Sequence, residues 1–229
     1  TAAELRSLPG IGDYTAGAIA SIACGEPEPA VEPEPCPRDE SCPMSAFDDL
    51  DMSRWYHDGV HWALENGIMV GYGDGTFGPN DATTRAMFVT MLFRFEKEPG
   101  VSSDTAGFTD VEDGKWYTEA ILWAAANGIV NGYGDGRFGP NDTLTREQLV
   151  TILLRYAQYK GVDTSQGELK PLLDYDDTKD ISEWAVKAFR WAVDAGIIIG
   201  TGSGALSPKQ DASRAQVATI LMRFYTKTR

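Results

Sequence analysis

Three arginines occupy the same place in a pattern that occurs three times along the chain, and each directly follows a Thr or a Ser. A guanidinium group can hold a carboxylate through two parallel hydrogen bonds. The hydroxyl residue predicts a helix start, where backbone N–H groups favour an anion and the helix dipole makes a cation locally unfavourable. Helix stability alone would not select a cation there three times, so the pattern predicts carboxylate binding by Arg85, Arg146 and Arg214. The alternative is an ion pair with a carboxylate of a neighbouring copy, such as Asp49 or Asp110.

Each copy begins at a Trp and reaches its arginine after the same number of residues, without a gap. The copies begin at Trp55, Trp116 and Trp184. Apolar residues at helical spacing predict that a first helix opens at each Trp. Each first helix is predicted to end at a Gly, which adopts the left-handed conformation without a Cβ penalty. These glycines are Gly67, Gly128 and Gly196.

The second helix of each copy is predicted to begin at a capping hydroxyl, namely Thr84, Thr145 or Ser213. Gln148 and Gln216 complete a capping box in copies two and three, whereas Met87 gives copy one a weaker cap. One pair of helices this short cannot bury its apolar face alone. The three copies are therefore predicted to share one core in a mainly α fold.

Other residues that recur in all three copies have two interpretations each. An aromatic residue at helical spacing is usually core, which we predict for Trp62, Trp123 and Trp191. The Trp that opens each copy could instead pack against a ligand. Gly71, Gly132 and Gly200 indicate either a turn with positive φ or a close approach of ligand to backbone. Late in the second helix, Arg94, Arg155 and Arg223 suit the helix dipole, and we interpret them as structural.

Several linked motifs make the three copies similar to S-layer homology repeats. They are F-x-D, the helix Trp, G-I-x-x-G, G-x-F-x-P and a T-R-A-E-like start of the second helix. F-x-D stands at Phe47-Asp48-Asp49 and Phe108-Thr109-Asp110. Copy three departs with Tyr175-Asp176-Asp177, and with Leu206 where copy one has Phe77. The Glu of T-R-A-E is replaced in every copy, by Met87, Gln148 or Gln216.

The resemblance implies three helix-loop-helix repeats in a pseudo-threefold arrangement with grooves between them, over residues 46–97, 107–158 and 174–227. It implies an extracellular domain, in the cell wall or S-layer, that binds a secondary cell-wall polysaccharide attached to peptidoglycan. That glycan commonly carries pyruvate ketals on N-acetylmannosamine. Self-assembly into an S-layer is a further role, and no cofactor is expected. The glycan-binding set that it implies is Trp55, Trp116, Trp184, Gly71, Gly132, Gly200, Arg85, Arg146, Arg214, Asp49, Asp110 and Asp177.

Composition narrows the function classes. The 229 residues carry 34 acidic and 20 basic side chains, a net charge of −14. Nucleic-acid binding usually draws on a basic face, so this charge disfavours it. No apolar run approaches the roughly 18 residues of a membrane span. No Ser-His-Asp or Cys-His set for nucleophilic catalysis occurs in residues 46–229, which predicts binding rather than catalysis.

Residues 1–32 resemble a different family, the helix-hairpin-helix segment of MutY-type adenine-specific DNA glycosylases. The match covers Leu8–Gly12 and Tyr14–Ala20. It implies that backbone N–H groups of Gly10, Ile11 and Gly12 bind a DNA phosphate, and it makes a truncated glycosylase the alternative function. Glu32 stands where that family has its catalytic Asp. Because 32 residues cannot build a glycosylase core, we interpret Glu32 as near a fusion junction, followed by a linker at residues 33–45.

Metal and cysteine chemistry receives less support from the sequence. Asp74-Gly75 and Asp135-Gly136 could bind calcium, but Ser203-Gly204 stands at that place in copy three, so turn formation is the shared property. His57 and His61 could hold zinc, but zinc needs a third ligand, so we predict a solvated helix face and no metal. Cys36 and Cys42 could form a disulfide or stay as thiols, and Cys24 is the odd cysteine.

Overall fold

The computed structural model describes residues 36–101, 107–165, 170–202 and 204–228. The chain divides into two compact units, residues 1–37 and residues 38–229, and the three repeats lie in the second. Residues 1–32, with the DNA-binding candidates Gly10, Ile11 and Gly12, lie outside the described residues, as do Cys24 and Ser203. Within the described ranges, no helix combines the length and apolarity that crossing a bilayer requires.

Each repeat contains two α-helices, as the periodicity predicts. They are α1 (His57–Glu65) and α2 (Arg85–Phe95), α3 (Thr118–Ala126) and α4 (Arg146–Tyr159), and α5 (Val186–Asp194) and α6 (Arg214–Lys227). Short 3-10 helices cover Pro43–Ala46, Lys170–Asp174, Thr178–Asp180 and Glu183–Ala185. The described part of the chain contains no named β-strand, so the predicted mainly α fold is confirmed.

The caps of the second helices follow the prediction closely. The hydroxyl oxygens of Thr145 and Ser213 accept hydrogen bonds from the backbone N–H of Gln148 and Gln216, and both capping boxes are complete. In repeat one, Thr84 accepts from the N–H of Met87 alone. A methionine side chain cannot return the bond, so this cap is the weaker one.

The first helices are shorter than the sequence suggests. The α-helix begins two residues after the Trp in every repeat, at His57, Thr118 and Val186. It ends as predicted beside a glycine with positive φ, for example 65° at Gly67. The Trp therefore lies on the approach to the helix, outside its hydrogen-bonded turns.

The repeats form a closed ring. The first helix of each repeat packs on the second helix of the preceding one: α3 on α2, α5 on α4, and α1 on α6. Three isolated β-bridges join the loops in the same cyclic order, Thr84 to Thr143, Thr145 to Asp211, and Ala82 to Ser213. The pseudo-threefold arrangement thus places a seam between every pair of repeats.

Aromatic side chains fill the centre of the ring. Tyr156 is fully buried, and its ring contacts those of Phe95 and Phe224. Trp123 and Trp191 are buried, which confirms their assignment to the core. Trp62 is only partly buried, because it packs at the edge of the core against Phe95 and Tyr225.

The compact unit begins earlier than the expected end of the linker at residue 45. It starts at Arg38, and the side chains of Cys42 and Met44 are buried. The 3-10 helix Pro43–Ala46 packs against α1. A Pro-rich composition suggested an extended segment, but these two apolar side chains draw the chain into the core.

Candidate functional site

An aspartate at the start of each repeat shapes the loop that follows the first helix. Both carboxylate oxygens of Asp49 accept backbone hydrogen bonds, from the N–H groups of Phe77 at 2.8 Å and Gly78 at 2.7 Å. Two other aspartates make the same pair of bonds in their own repeats. Asp110 accepts from Phe138 and Gly139, and Asp177 accepts from Leu206 and Ser207.

The same loop residue is also bound from the preceding repeat. While its N–H is held by the aspartate, its carbonyl oxygen accepts a hydrogen bond from the Nε of an arginine. The arginine Nε to carbonyl distances are 2.8 Å for Arg85 to Phe138, 2.7 Å for Arg146 to Leu206, and 2.8 Å for Arg214 to Phe77. Each arginine therefore bridges a seam of the ring, and all three are at most 5% exposed.

The helix N-termini are not available to an anion, and that part of the sequence-based hypothesis is wrong. The N–H groups of Arg146 and Glu147 donate to the carbonyls of Gln210 and Pro208 in the next repeat. Equivalent bonds occupy the first two N–H groups of α2 and α6, and the capping hydroxyl takes the third. Any anion must therefore meet the guanidinium groups, since the first-turn N–H groups already have partners.

The ion-pair alternative is not what the described residues show either. None of Arg85, Arg146 and Arg214 forms an ion pair with a carboxylate in the described ranges. The guanidinium carbon of Arg85 instead lies 4.6 Å from the ring centre of Tyr133, and that of Arg214 lies 4.8 Å from Tyr72. Such cation–π contacts stabilise a partly desolvated cation without neutralising it.

Two of the seams open into clefts of matching composition. Cleft 1 has a volume of about 420 Å³, and its lining includes Arg146, Arg223, Trp55, Gly200 and Gln216. Cleft 2 also has a volume of about 420 Å³, and its lining includes Arg85, Arg155, Trp184, Gly132 and Gln148. All three repeats contribute to each cleft. One repeat supplies the buried arginine, Arg146 or Arg85. The repeat after it supplies the glycine and the second arginine, Arg223 or Arg155, and the remaining repeat supplies the Trp.

Each cleft brings two guanidinium groups together. Burial lowers the pKa of Arg146, and Arg223 lowers it further, while Asp177 acts in the opposite direction. Burial likewise lowers the pKa of Arg85, where Tyr133, Asp142 and Asp110 oppose the effect and Arg155 adds to it. A guanidinium group is effectively always protonated in a protein. Two like charges on a partly desolvated wall are a fitting receptor for an anion, which would relieve their repulsion.

Arg155 and Arg223 are the site residues that sequence reasoning missed. Their place late in a helix suggested a dipole interaction. In the structure they line the two clefts instead. The missed signal was their threefold recurrence, which was as regular as that of Arg85, Arg146 and Arg214.

The tryptophans that open the repeats are exposed, so they do not belong to the core. Trp55, Trp116 and Trp184 are 63%, 60% and 56% exposed. Trp55 lies in cleft 1 and Trp184 in cleft 2. Their rings are thus free of the core and available to a ligand face.

The recurring glycines leave room for a neighbouring side chain of the same repeat. Gly132 and Gly200 have positive φ, 64° and 75°, whereas Gly71 does not, so the turn interpretation holds for two of the three. A Cβ on Gly132 would lie 2.6 Å from a ring carbon of Phe108, and one on Gly200 would lie 2.9 Å from a ring carbon of Tyr175. The aromatic ring that begins each repeat therefore packs directly on the glycine.

The family is decided by comparison with known proteins. The family model of the S-layer homology domain matches residues 46–87, 107–150 and 174–218, more than half of the chain. This chain belongs to the S-layer homology domain family. Exoglucanase XynX of Acetivibrio thermocellus is 32% identical over 80% of the chain, and an S-layer protein of Bacillus thuringiensis subsp. finitimus is 27% identical over 78%. A cellulosome-anchoring protein of Acetivibrio thermocellus is 30% identical over 61%.

The chain spans a small part of these relatives. The match covers 16% of the exoglucanase, 21% of the S-layer protein and 32% of the cellulosome-anchoring protein. What the matched proteins share with this chain is thus the S-layer homology region. These matches give no support to the DNA-glycosylase resemblance of residues 1–32.

The third seam between S-layer homology repeats differs from the other two. We call it the Trp116 groove, and its volume is about 580 Å³. Its described lining includes Trp116, Arg94, Glu98, Asp113 and Glu119. Arg214 is not among these described lining residues. Besides its Nε bond, Arg214 donates from a terminal nitrogen to the carbonyl of Val70 at 2.7 Å. The three repeats thus form three seams, and the described lining contains a pair of arginines at two of them.

Proposed function

We propose that this chain anchors a protein to the bacterial cell wall by binding an acidic secondary cell-wall polysaccharide in cleft 1 and cleft 2. The observation that carries the proposal is the pair of guanidinium groups in each cleft, with no ion-paired carboxylate in the described residues. Although the chain has a net charge of −14, each cleft is lined by two arginine side chains. Binding, without catalysis, is the role that this arrangement supports.

The preferred ligand is a pyruvate ketal on the glycan. Such a group carries one carboxylate on a rigid saturated ring, so it presents charge and an apolar face together. The carboxylate would bind Arg146 and Arg223 in cleft 1, and Arg85 and Arg155 in cleft 2. The exposed Trp at each mouth would pack on the sugar face.

The other residues expected to bind glycan act indirectly in this proposal. Asp49, Asp110 and Asp177 have both oxygens bonded to loop N–H groups. They hold the carbonyls to which the seam arginines donate. Gly132 and Gly200 line the clefts and provide room for the packed aromatic ring, and Gly71 provides room for Phe47.

A cell-surface location accords with the family and with relatives named as S-layer and cellulosome-anchoring proteins. Those names describe different attached proteins that share a similar repeat region. We propose that the repeats of this chain likewise act as the anchor of the protein that carries them. Self-assembly into an S-layer stays a prediction, to be checked by whether the purified chain forms ordered sheets.

The test is co-sedimentation with cell-wall sacculi that keep or lack their secondary polymer. Arg223→Gln and Arg155→Gln each remove one guanidinium from a cleft while keeping a polar side chain. Because a charge-assisted hydrogen bond contributes about 1.5–3 kcal/mol, we expect each cleft to lose about ten- to a hundredfold in affinity. Arg94→Gln is the matched control, since it changes the same repeat position in the Trp116 groove.

The outcomes separate the hypotheses. Binding that needs the polymer, and that falls in both cleft variants but not in Arg94→Gln, supports the proposal. Equal binding to chemically depyruvylated polymer would reject the ketal while keeping the anchor. Retention by adenine-mispaired DNA duplex with no binding to sacculi would instead favour the truncated glycosylase.

A further inference from the structure

A cluster of metal-binding side chains lies in repeat one and shares no residue with cleft 1 or cleft 2. It consists of Cys42, which precedes the 3-10 helix Pro43–Ala46, and of His57 and His61, one turn apart on α1. The Cys42 sulfur is 3.7 Å from Nε2 of His57 and 3.3 Å from Nδ1 of His61. Cys42 and His57 are buried, and His61 is partly buried. The prediction of a solvated helix face is therefore wrong, because the chain before α1 covers it.

The outer nitrogen of each imidazole faces a carboxylate. Nδ1 of His57 is 2.8 Å from Asp58, and Nε2 of His61 is 3.7 Å from Glu65. Carboxylates favour an N–H at these outer nitrogens, which turns both inner lone pairs toward the Cys42 sulfur. A thiol has one proton and can donate to one of the two imidazoles. A bound metal ion satisfies both, and a carboxylate behind the imidazole is the usual support of a metal-bound histidine.

The distances match a tetrahedral zinc site. Zinc binds sulfur at about 2.3 Å and imidazole nitrogen at about 2.0–2.1 Å, so tetrahedral angles place the two ligand atoms about 3.5 Å apart. The two observed distances, 3.7 and 3.3 Å, lie on either side of this value. The three ligand atoms all lie within 4.8 Å of one another. Thiolate with imidazole is a set that favours zinc over magnesium or calcium.

We propose that Cys42, His57 and His61 bind a structural zinc ion. Fourteen residues separate Cys42 from His57, and three separate the histidines. An interval of three residues between two histidines is typical of structural zinc sites.

The site belongs to repeat one alone. Thr118 and Leu122 in repeat two, and Val186 and Arg190 in repeat three, stand at the positions of the two histidines. The zinc ion fastens the segment that leads into the repeats onto α1, immediately after Trp55 of cleft 1. Its role is thus to fix the start of the ring, independently of glycan binding.

The test is metal binding by the whole chain, prepared reduced and metal-free. We expect one Zn²⁺ per chain by competition with a chromophoric chelator, and Co²⁺ to give the visible bands of a tetrahedral thiolate site. A hundredfold excess of zinc over its Kd raises Tm by about 5–10 °C. Cys42→Ser and His61→Gln abolish the cobalt bands, while Cys24→Ser, which leaves all three ligand residues in place, keeps them.

The assignment has clear points of failure. Circular dichroism of each variant establishes that it is folded before binding is compared. Absence of the cobalt bands in the parent chain, or bands that persist in folded Cys42→Ser, would overturn the site. A Cys36–Cys42 disulfide found by mass spectrometry of protein purified without reductant would overturn it as well.

Discussion

Cleft 1 and the Trp116 groove share three repeat positions, a Thr, the second arginine and the opening Trp, yet the rest of their lining and their chemistry differ. In cleft 1, Arg146 and Arg223 lie together. In the Trp116 groove the described lining combines Arg94 with Glu98, Asp113 and Glu119, and Arg214 is occupied by two carbonyls of repeat one. The arginine pattern in the sequence is the same in both.

The difference shows that a recurring residue does not make a recurring site. Each of the three seam arginines donates a hydrogen bond to a loop carbonyl of the next repeat. This structural role alone is enough to explain why the arginine recurs in all three repeats. What distinguishes a cleft from the Trp116 groove is the buried seam arginine in its lining and the absence of acids among its lining residues. Three experiments test this comparison beyond the arginine variants above.

The largest expected effect comes from the aspartates that hold the loops. Asp177→Ala and Asp49→Ala each leave two loop N–H groups without their acceptor, which costs about 2–5 kcal/mol of unfolding free energy. Denaturant titration measures this loss, and exposed Asp135→Ala is the control. At a temperature where both variants are folded, we expect Asp177→Ala to weaken wall binding, since its loop forms cleft 1. Equal weakening by Asp49→Ala would contradict the difference between the seams.

A smaller effect is expected from the exposed tryptophans. Trp55→Ala removes the aromatic wall of cleft 1, and a contact of about 1 kcal/mol corresponds to roughly fivefold in affinity. Trp116→Ala is matched to it, because each Trp packs edge-on against the Tyr that follows it. Calorimetric titration with polymer fragments should show a loss for Trp55→Ala alone. A loss of the same size in Trp116→Ala would show that its groove also binds glycan.

The smallest effect concerns the cap of α2. Met87→Gln supplies the side chain that completes the capping box in the other repeats. We expect a gain of about 0.3–1 kcal/mol, or roughly 1–3 °C in Tm by scanning calorimetry. Wall binding is expected to stay constant, because a glutamine does not bring the guanidinium group of Arg214 into the Trp116 groove. Stronger binding would indicate that the glutamines in clefts 1 and 2 contact the ligand.

Features that depend on neighbouring residues in the chain could be predicted from the sequence. A cap needs a hydroxyl and the N–H two or three residues later, so Thr145 with Gln148 was sufficient, and Met87 correctly marked the weaker case. The core positions of Trp123 and Trp191 followed from helical periodicity in the same way. The mainly α fold with two helices per repeat rests on such local rules.

Features that depend on which repeat lies beside which could not be predicted. The bond from Arg85 to Phe138 joins residues 53 apart, and nothing local in the sequence specifies it. Arg223 was interpreted as structural because a cation late in a helix interacts favourably with the helix dipole. The sequence alone did not indicate that it lines the same cleft as Arg146 of another repeat. His57 was assigned to a solvated helix face because the sequence pattern offered no third zinc ligand, but Cys42 covers that face from fifteen residues away.

The closure of the ring by α1 and α6 has a mechanical consequence. In an open helical array, each unit touches its neighbours in a row, and the last one can peel away without disturbing the first. Here the final helix rests on the first, so loss of any one repeat strips a partner from both of the others. We therefore expect a pulling force on the repeats to be shared by all three seams, and the three repeats to unfold in a single step.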